Sequence, residues 1–125
     1  MKILSTCAAA ALMFATVGCD ESALDREADA VRDQTQEQAE DIRDASQSSA
    51  EATRDATQNA AAELRDRTDN ATESVQDRAE YKADAIEERG EEVADQKEVV
   101  GERKADAIED RGEAKANALE DLDEE

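Results

Sequence analysis

Large aliphatic residues recur along this chain at a spacing of eleven. Counting from Ile86 and Ile108 in both directions gives Val31, Ile42, Thr53, Leu64, Val75, Ile86, Lys97, Ile108 and Leu119, and seven of these nine are aliphatic. Other columns keep the same period. Two residues on, acids dominate, from Asp33, Asp44 and Asp55 to Asp110 and Asp121. Four residues on come Thr35, Ser46, Thr57, Thr68, Ala79, Gly90, Gly101 and Gly112; eight on come Ala39, Ala50, Ala61, Thr72, Ala83, Ala94, Ala105 and Ala116. The most alike copies are KADAIEERGE, residues 82–91, and KADAIEDRGE, residues 104–113.

Eleven residues fill three helical turns at about 3.67 per turn, which gives a nearly straight or slightly right-handed superhelix. The aliphatic, the small residue four on, the position seven on and the alanine eight on then share a stripe of about 100°. The pattern predicts an all-α chain: a single long amphipathic helix of hendecad repeats over residues 31–122, conditionally helical or coiled-coil, with no globular core. At 1.5 Å per residue it would reach roughly 150 Å. Its expected seam is Val31, Ile42, Leu64, Val75, Ile86, Val93, Val100, Ile108 and Leu119. Lys97 interrupts the aliphatic column, with Val93 and Val100 on either side; it is either drift in a tolerant repeat or a polar residue that fixes register. The three glycines are either flexible points or places where another backbone comes close. Acids stand four apart at Glu91/Asp95, Glu98/Glu102 and Glu102/Asp106, among others. Such like-charge pairs destabilise an isolated helix, so helicity is expected to depend on salt, divalent cations, acid, dehydration or a partner helix.

The first twenty residues follow another rule. Lys2 precedes a mostly apolar run, Ile3–Val17. It is shorter than the roughly 20 residues of a membrane span and suits a signal peptide. It ends at Thr16-Val17-Gly18-Cys19, which resembles the bacterial lipobox, although Leu is usual where Thr16 stands. The resemblance implies cleavage between Gly18 and Cys19 and acylation of Cys19. Asp20 resembles the inner-membrane retention signal of enteric bacteria, a rule tied to that group, so the choice of membrane stays open. The expected organisation is signal peptide 1–18, acylated tether 19–30, helix 31–122 and acidic tail 123–125.

Composition narrows the function classes. The net charge is −20, charged residues make up 40 % and aromatic residues 2 %. So few large apolar side chains cannot offset roughly 1–2 kcal/mol of backbone entropy per residue in a compact domain. The acidity argues against a nucleic-acid partner. No His occurs, and Cys19 would be acylated, so Cys/His catalysis and the common zinc sites are not expected. The carboxylates lie along a helix without a cage for a specific metal or a cleft to shift a pKa. No catalytic residues, cofactor or metal ligands are predicted.

The unit Thr53-Arg54-Asp55-Ala56-Thr57 and its alanine-rich eleven-residue period resemble the repeats of group 3 late-embryogenesis-abundant proteins, across most of residues 28–120. That resemblance implies a chain disordered in water, helical on drying, and protective under desiccation. This chain is more acidic and poorer in Lys than that family. A lipobox followed by an alanine-rich helix is also similar to small envelope lipoproteins such as the murein lipoprotein. That protein has seven-residue repeats and a C-terminal Lys; Asp121–Glu125 contains no Lys, which speaks against wall attachment. The expectation is a non-enzymatic lipoprotein of a bacterial cell envelope, held to a membrane by lipid on Cys19 and facing the periplasm or exterior. Its role would be structural, as a helical spacer or a binding partner, with a second copy or another helical envelope protein as candidate partner; the alternative is a hydration protectant.

Overall fold

The computed structural model describes residues 22–123, and these form two long helices, α1 (Ala23–Thr68) and α2 (Glu73–Asp123). They pack side by side and antiparallel: Arg32 near the start of α1 meets Glu120 near the end of α2, and Arg65 meets Glu80 beside the turn. The all-α expectation holds. The single long helix does not, because the chain reverses at residues 69–72.

The reversal has a local cause. Thr68-Asp69-Asn70-Ala71-Thr72-Glu73 lacks a large apolar residue, and Asp, Asn and Thr side chains compete with helical hydrogen bonds. The Ala71 N–H donates to the Thr68 carbonyl at 2.9 Å, and the Val75 and Gln76 N–H groups donate to the Thr72 carbonyl at 2.8 and 3.0 Å. The Gln76 side-chain amide donates to the Asp69 carbonyl at 2.5 Å. At the other end, Ser22 and Asp25 form a capping box: the Leu24 and Asp25 N–H groups donate to Ser22 Oγ, and the Ser22 N–H donates to the Asp25 carboxylate. The helix thus starts at Ala23, inside the stretch expected as tether.

The contact line between the helices is built from small residues. Ala28, Ala39, Ala50 and Ala61 of α1 are fully buried, as are Ala83, Ala94, Ala105 and Ala116 of α2. Gly90, Gly101 and Gly112 are buried in the same line. Each glycine faces a hydroxyl residue of α1: Gly90 faces Thr57, Gly101 faces Ser46 and Gly112 faces Thr35. A Cβ at Gly90 would lie 2.7 Å from Thr57 Cβ, and one at Gly112 would lie 2.6 Å from Thr35 Cβ, so neither fits without moving backbone. The threonine hydroxyls are satisfied within α1. Thr57 Oγ1 donates to the Thr53 or Arg54 carbonyl and Thr35 Oγ1 to the Val31 or Arg32 carbonyl, all near 3.0 Å. Of the two readings of the glycines, the structure selects close approach, and the approaching backbone belongs to the same chain.

The expected aliphatic seam is therefore not the deepest layer. Val31 is buried, and Ile42, Leu64, Ile86, Ile108 and Leu119 are half-buried beside the alanine line. Val75 beside the turn, and Val93 and Val100, are exposed at 42 %, 39 % and 39 %.

Helix propensity and packing make opposite predictions for the glycines. In an isolated helix each Gly→Ala change gains about 1 kcal/mol. Here the triple change Gly90→Ala, Gly101→Ala, Gly112→Ala is expected to lower the melting temperature, since overpacking costs roughly 1–3 kcal/mol per site. Thermal melting followed by circular dichroism checks the sign; a higher melting temperature would refute the close approach.

Candidate functional site: an ionic edge and an apolar edge

The residue after each position of the aliphatic column, Thr53 and Lys97 included, differs between the helices. In α1 it is Arg32, Arg43, Arg54 and Arg65; in α2 it is Glu87, Glu98, Glu109 and Glu120, with Gln76 between the two sets. At about 98° per residue, this column and the aliphatic column lie on opposite flanks of the alanine line. Folding at residues 69–72 brings the arginine column against the glutamate column along one edge.

Every arginine of the column makes the same fan of contacts. Arg43 reaches Glu102 at 3.2 Å, Asp106 at 3.0 Å and Glu109 at 2.7 Å. Arg54 reaches Glu91, Asp95 and Glu98 at 2.8, 2.8 and 2.7 Å. Arg65 reaches Glu80, Asp84 and Glu87 at 3.0, 2.8 and 2.7 Å. Arg32 pairs with Glu113 and Glu120, and Asn117 takes the place of the aspartate, accepting from Arg32 Nη2 at 3.1 Å. Arg43 and Glu109 join through two parallel N–H···O bonds of 2.7 and 2.9 Å, the fork geometry that suits guanidinium to carboxylate.

This ladder alters the expected cost of the acids. Glu91/Asp95 and Glu102/Asp106 repel when counted along one helix, yet each pair shares one arginine across the hairpin. Hydrogen bonds from Arg65, Arg43 and Arg32 hold Glu87, Glu109 and Glu120 below the usual carboxylate range. Within α1, Glu63 and Arg67 lie 3.5 Å apart, as do Asp29 and Arg32, while Arg65 turns to α2.

On the other edge the aliphatic columns of the two helices run together. The register set by the arginines puts Val31 level with Leu119, Ile42 with Ile108, and Leu64 with Ile86. It also puts Thr53 level with Lys97, so the two interruptions of the column meet each other. Lys97 Nζ donates to Thr53 Oγ1 at 2.6 Å and to the Ser49 carbonyl at 3.2 Å. Of the two readings of Lys97, this geometry favours register: slipping one helix by a repeat would set each polar residue against an aliphatic one. Around Lys97 an open groove of about 670 Å³ is lined by Ile42, Ala45, Ser49, Val93, Val100 and Lys104, among others.

Gly18 and Cys19 lie outside the described residues. Among the described residues, no group of three or more His, Cys, Asp or Glu is placed to hold a metal ion, and no helix is long and apolar enough to cross a membrane. Comparison with family models, curated proteins and solved structures finds no match.

Two outcomes follow from the two edges. Arg43→Gln is expected to lower the melting temperature at neutral pH. Glu109 holds its proton less tightly when folded, so its contribution is complete above the unfolded value of about 4.3. It is lost as pH falls through the lower folded value. The gap in melting temperature between parent and Arg43→Gln should therefore close below roughly pH 4; a gap independent of pH would remove the ladder's role. On the other edge, Thr53→Val removes the shorter of the two acceptors of the Lys97 ammonium, leaving the Ser49 carbonyl, and should cost about 1 kcal/mol, while Thr53→Val with Lys97→Leu should recover it. Chemical denaturation of the three proteins measures both.

Proposed function

We propose that the chain is a lipid-anchored protein of a bacterial envelope whose helical hairpin serves as a spacer and interaction surface, without catalysing a reaction. The observation that carries this reading is the fixed antiparallel register, Arg against Glu on one edge and Lys97 against Thr53 on the other. It is the property a spacer needs, because it sets length and shape. Cys19 precedes the Ser22 cap by three residues, so an acyl chain on Cys19 would hold this end of α1 at the membrane. The end of α2 returns to the same level, where Arg32 meets Glu120, and residues 69–72 form the distal tip. The reach is roughly 70 Å at 1.5 Å per residue, about half that of an unbroken helix.

The hydration-protectant alternative draws on the resemblance to late-embryogenesis-abundant repeats and on the exposed acids. Bulk hydration makes no use of glycines set against Thr57, Ser46 and Thr35 or of an arginine column facing a glutamate column, so the register favours the spacer.

Radiolabelled fatty acid should enter the parent chain in bacterial cells and be absent from Cys19→Ser; equal labelling of both would exclude the anchor. Circular dichroism of the Cys19→Ser protein should report a helical chain in dilute buffer. A chain that becomes helical only on drying would favour the protectant.

A further inference from the structure

The apolar edge carries a charge pattern opposite to that of the rest of the molecule. On α2, Lys82, Lys104 and Lys115 share the column beside the aliphatic row, and Arg78, Arg89 and Arg111 share the next. Val93 and Val100 occupy the missing places in these two columns, on either side of Lys97. The acids of α2 from Asp77 to Asp121 all fall outside this strip at about 98° per residue. None of the six cations makes an ion pair among the described residues. Across the groove, α1 presents uncharged Gln34, Gln38, Ala45 and Ser49, with Asp41 and Glu63 on its outer rim and Arg67 of the same helix 3.5 Å from Glu63.

We propose that a second copy of this chain covers the apolar edge, the two hairpins lying parallel about a two-fold axis along their length, as a four-helix bundle. The aliphatic rows of both copies then bury each other, and α1 of each copy faces α2 of the other. The rim charges select this arrangement. Arg43 pairs with Asp106 and Glu109, which puts Asp41 at the height of Lys104 and Arg111. Arg65 pairs with Asp84 and Glu87, which puts Glu63 at the height of Lys82 and Arg89. A parallel copy therefore meets each rim acid with two cations. An antiparallel two-fold pair would set the basic rim of α2 against its own copy, and the remaining long faces would bring carboxylates together. This deepens the anchored-spacer reading, since parallel copies present both Cys19 residues at one end, yet it stands or falls apart from acylation.

The test uses the full chain carrying Cys7→Ser and Cys19→Ser, in mild detergent. Sedimentation should give twice the 13.6 kDa chain mass. With Asn70→Cys added, a short bismaleimide should link the two copies at their tips, which an antiparallel pair would hold roughly 70 Å apart. Val93→Asp with Val100→Asp, both at exposed positions, should give a helical monomer. Asp41→Asn with Glu63→Gln should weaken the dimer about 16-fold, each of four rim acids contributing about a factor of two. A monomeric parent, a dimer that does not link through Asn70→Cys, or a dimer indifferent to the valine changes would overturn the proposal.

Discussion

Two helices can run this close together only where their facing side chains are the smallest available. The alanine and glycine line supplies that condition over the length of the hairpin, and both edges depend on it. With leucines in the line the helix axes would stand further apart, near the upper end of the usual 8–10 Å. The arginine fans would then reach fewer of their carboxylates, and Lys97 would stand away from Thr53. Each methyl group contributes little by burial. The line acts chiefly by bringing two backbones and two charged columns within reach.

The eleven-residue period turns one such contact into a repeating one. At about 3.67 residues per turn the columns stay nearly parallel to the helix axis, so the Arg43 fan recurs at Arg54 and Arg65 with the same offsets. A seven-residue period would wind the columns around the axis and impose a left-handed supercoil. Thr57 against Gly90 and Thr35 against Gly112 repeat in the same manner. Repetition alone would allow slippage by a whole unit. The Thr53–Lys97 pair and the turn at residues 69–72 remove that freedom.

Much of this was legible in the sequence. The period and the shared stripe of aliphatic, small residue and alanine follow from spacing; that the alanine column lies deeper than Ile42, Leu64, Ile86 and Ile108 shows only once the chain is folded back on itself. The reversal does not follow from the usual punctuation, because Asp69-Asn70-Ala71-Thr72 contains neither Gly nor Pro. The signal for it lies in comparison between columns. The residue after each aliphatic changes from arginine to glutamate at Gln76, and the residue four on changes from threonine or serine to glycine at almost the same place. Each change makes the second half of the repeat complementary to the first, which a single helix has no reason to be. Acids weighed against their neighbours along one helix indicate repulsion; the same acids weighed across the hairpin are ligands for arginine.

The ladder does not neutralise the edge it builds. Arg43, Arg54 and Arg65 each face three carboxylates, so the ionic edge keeps a negative excess and stays wet. Its pairs are also exposed, with the carboxylates between 38 and 69 % accessible, and such pairs are individually weak and screened by salt. Their contribution is therefore to choose among arrangements. The arginine column can face the glutamate column only in steps of a whole repeat, and a hairpin in such a register carries the ionic ladder on one edge and its aliphatic row on the other. In the proposed pairing, charge keeps the acidic faces of two hairpins apart and the aliphatic strip is the face that the second copy covers.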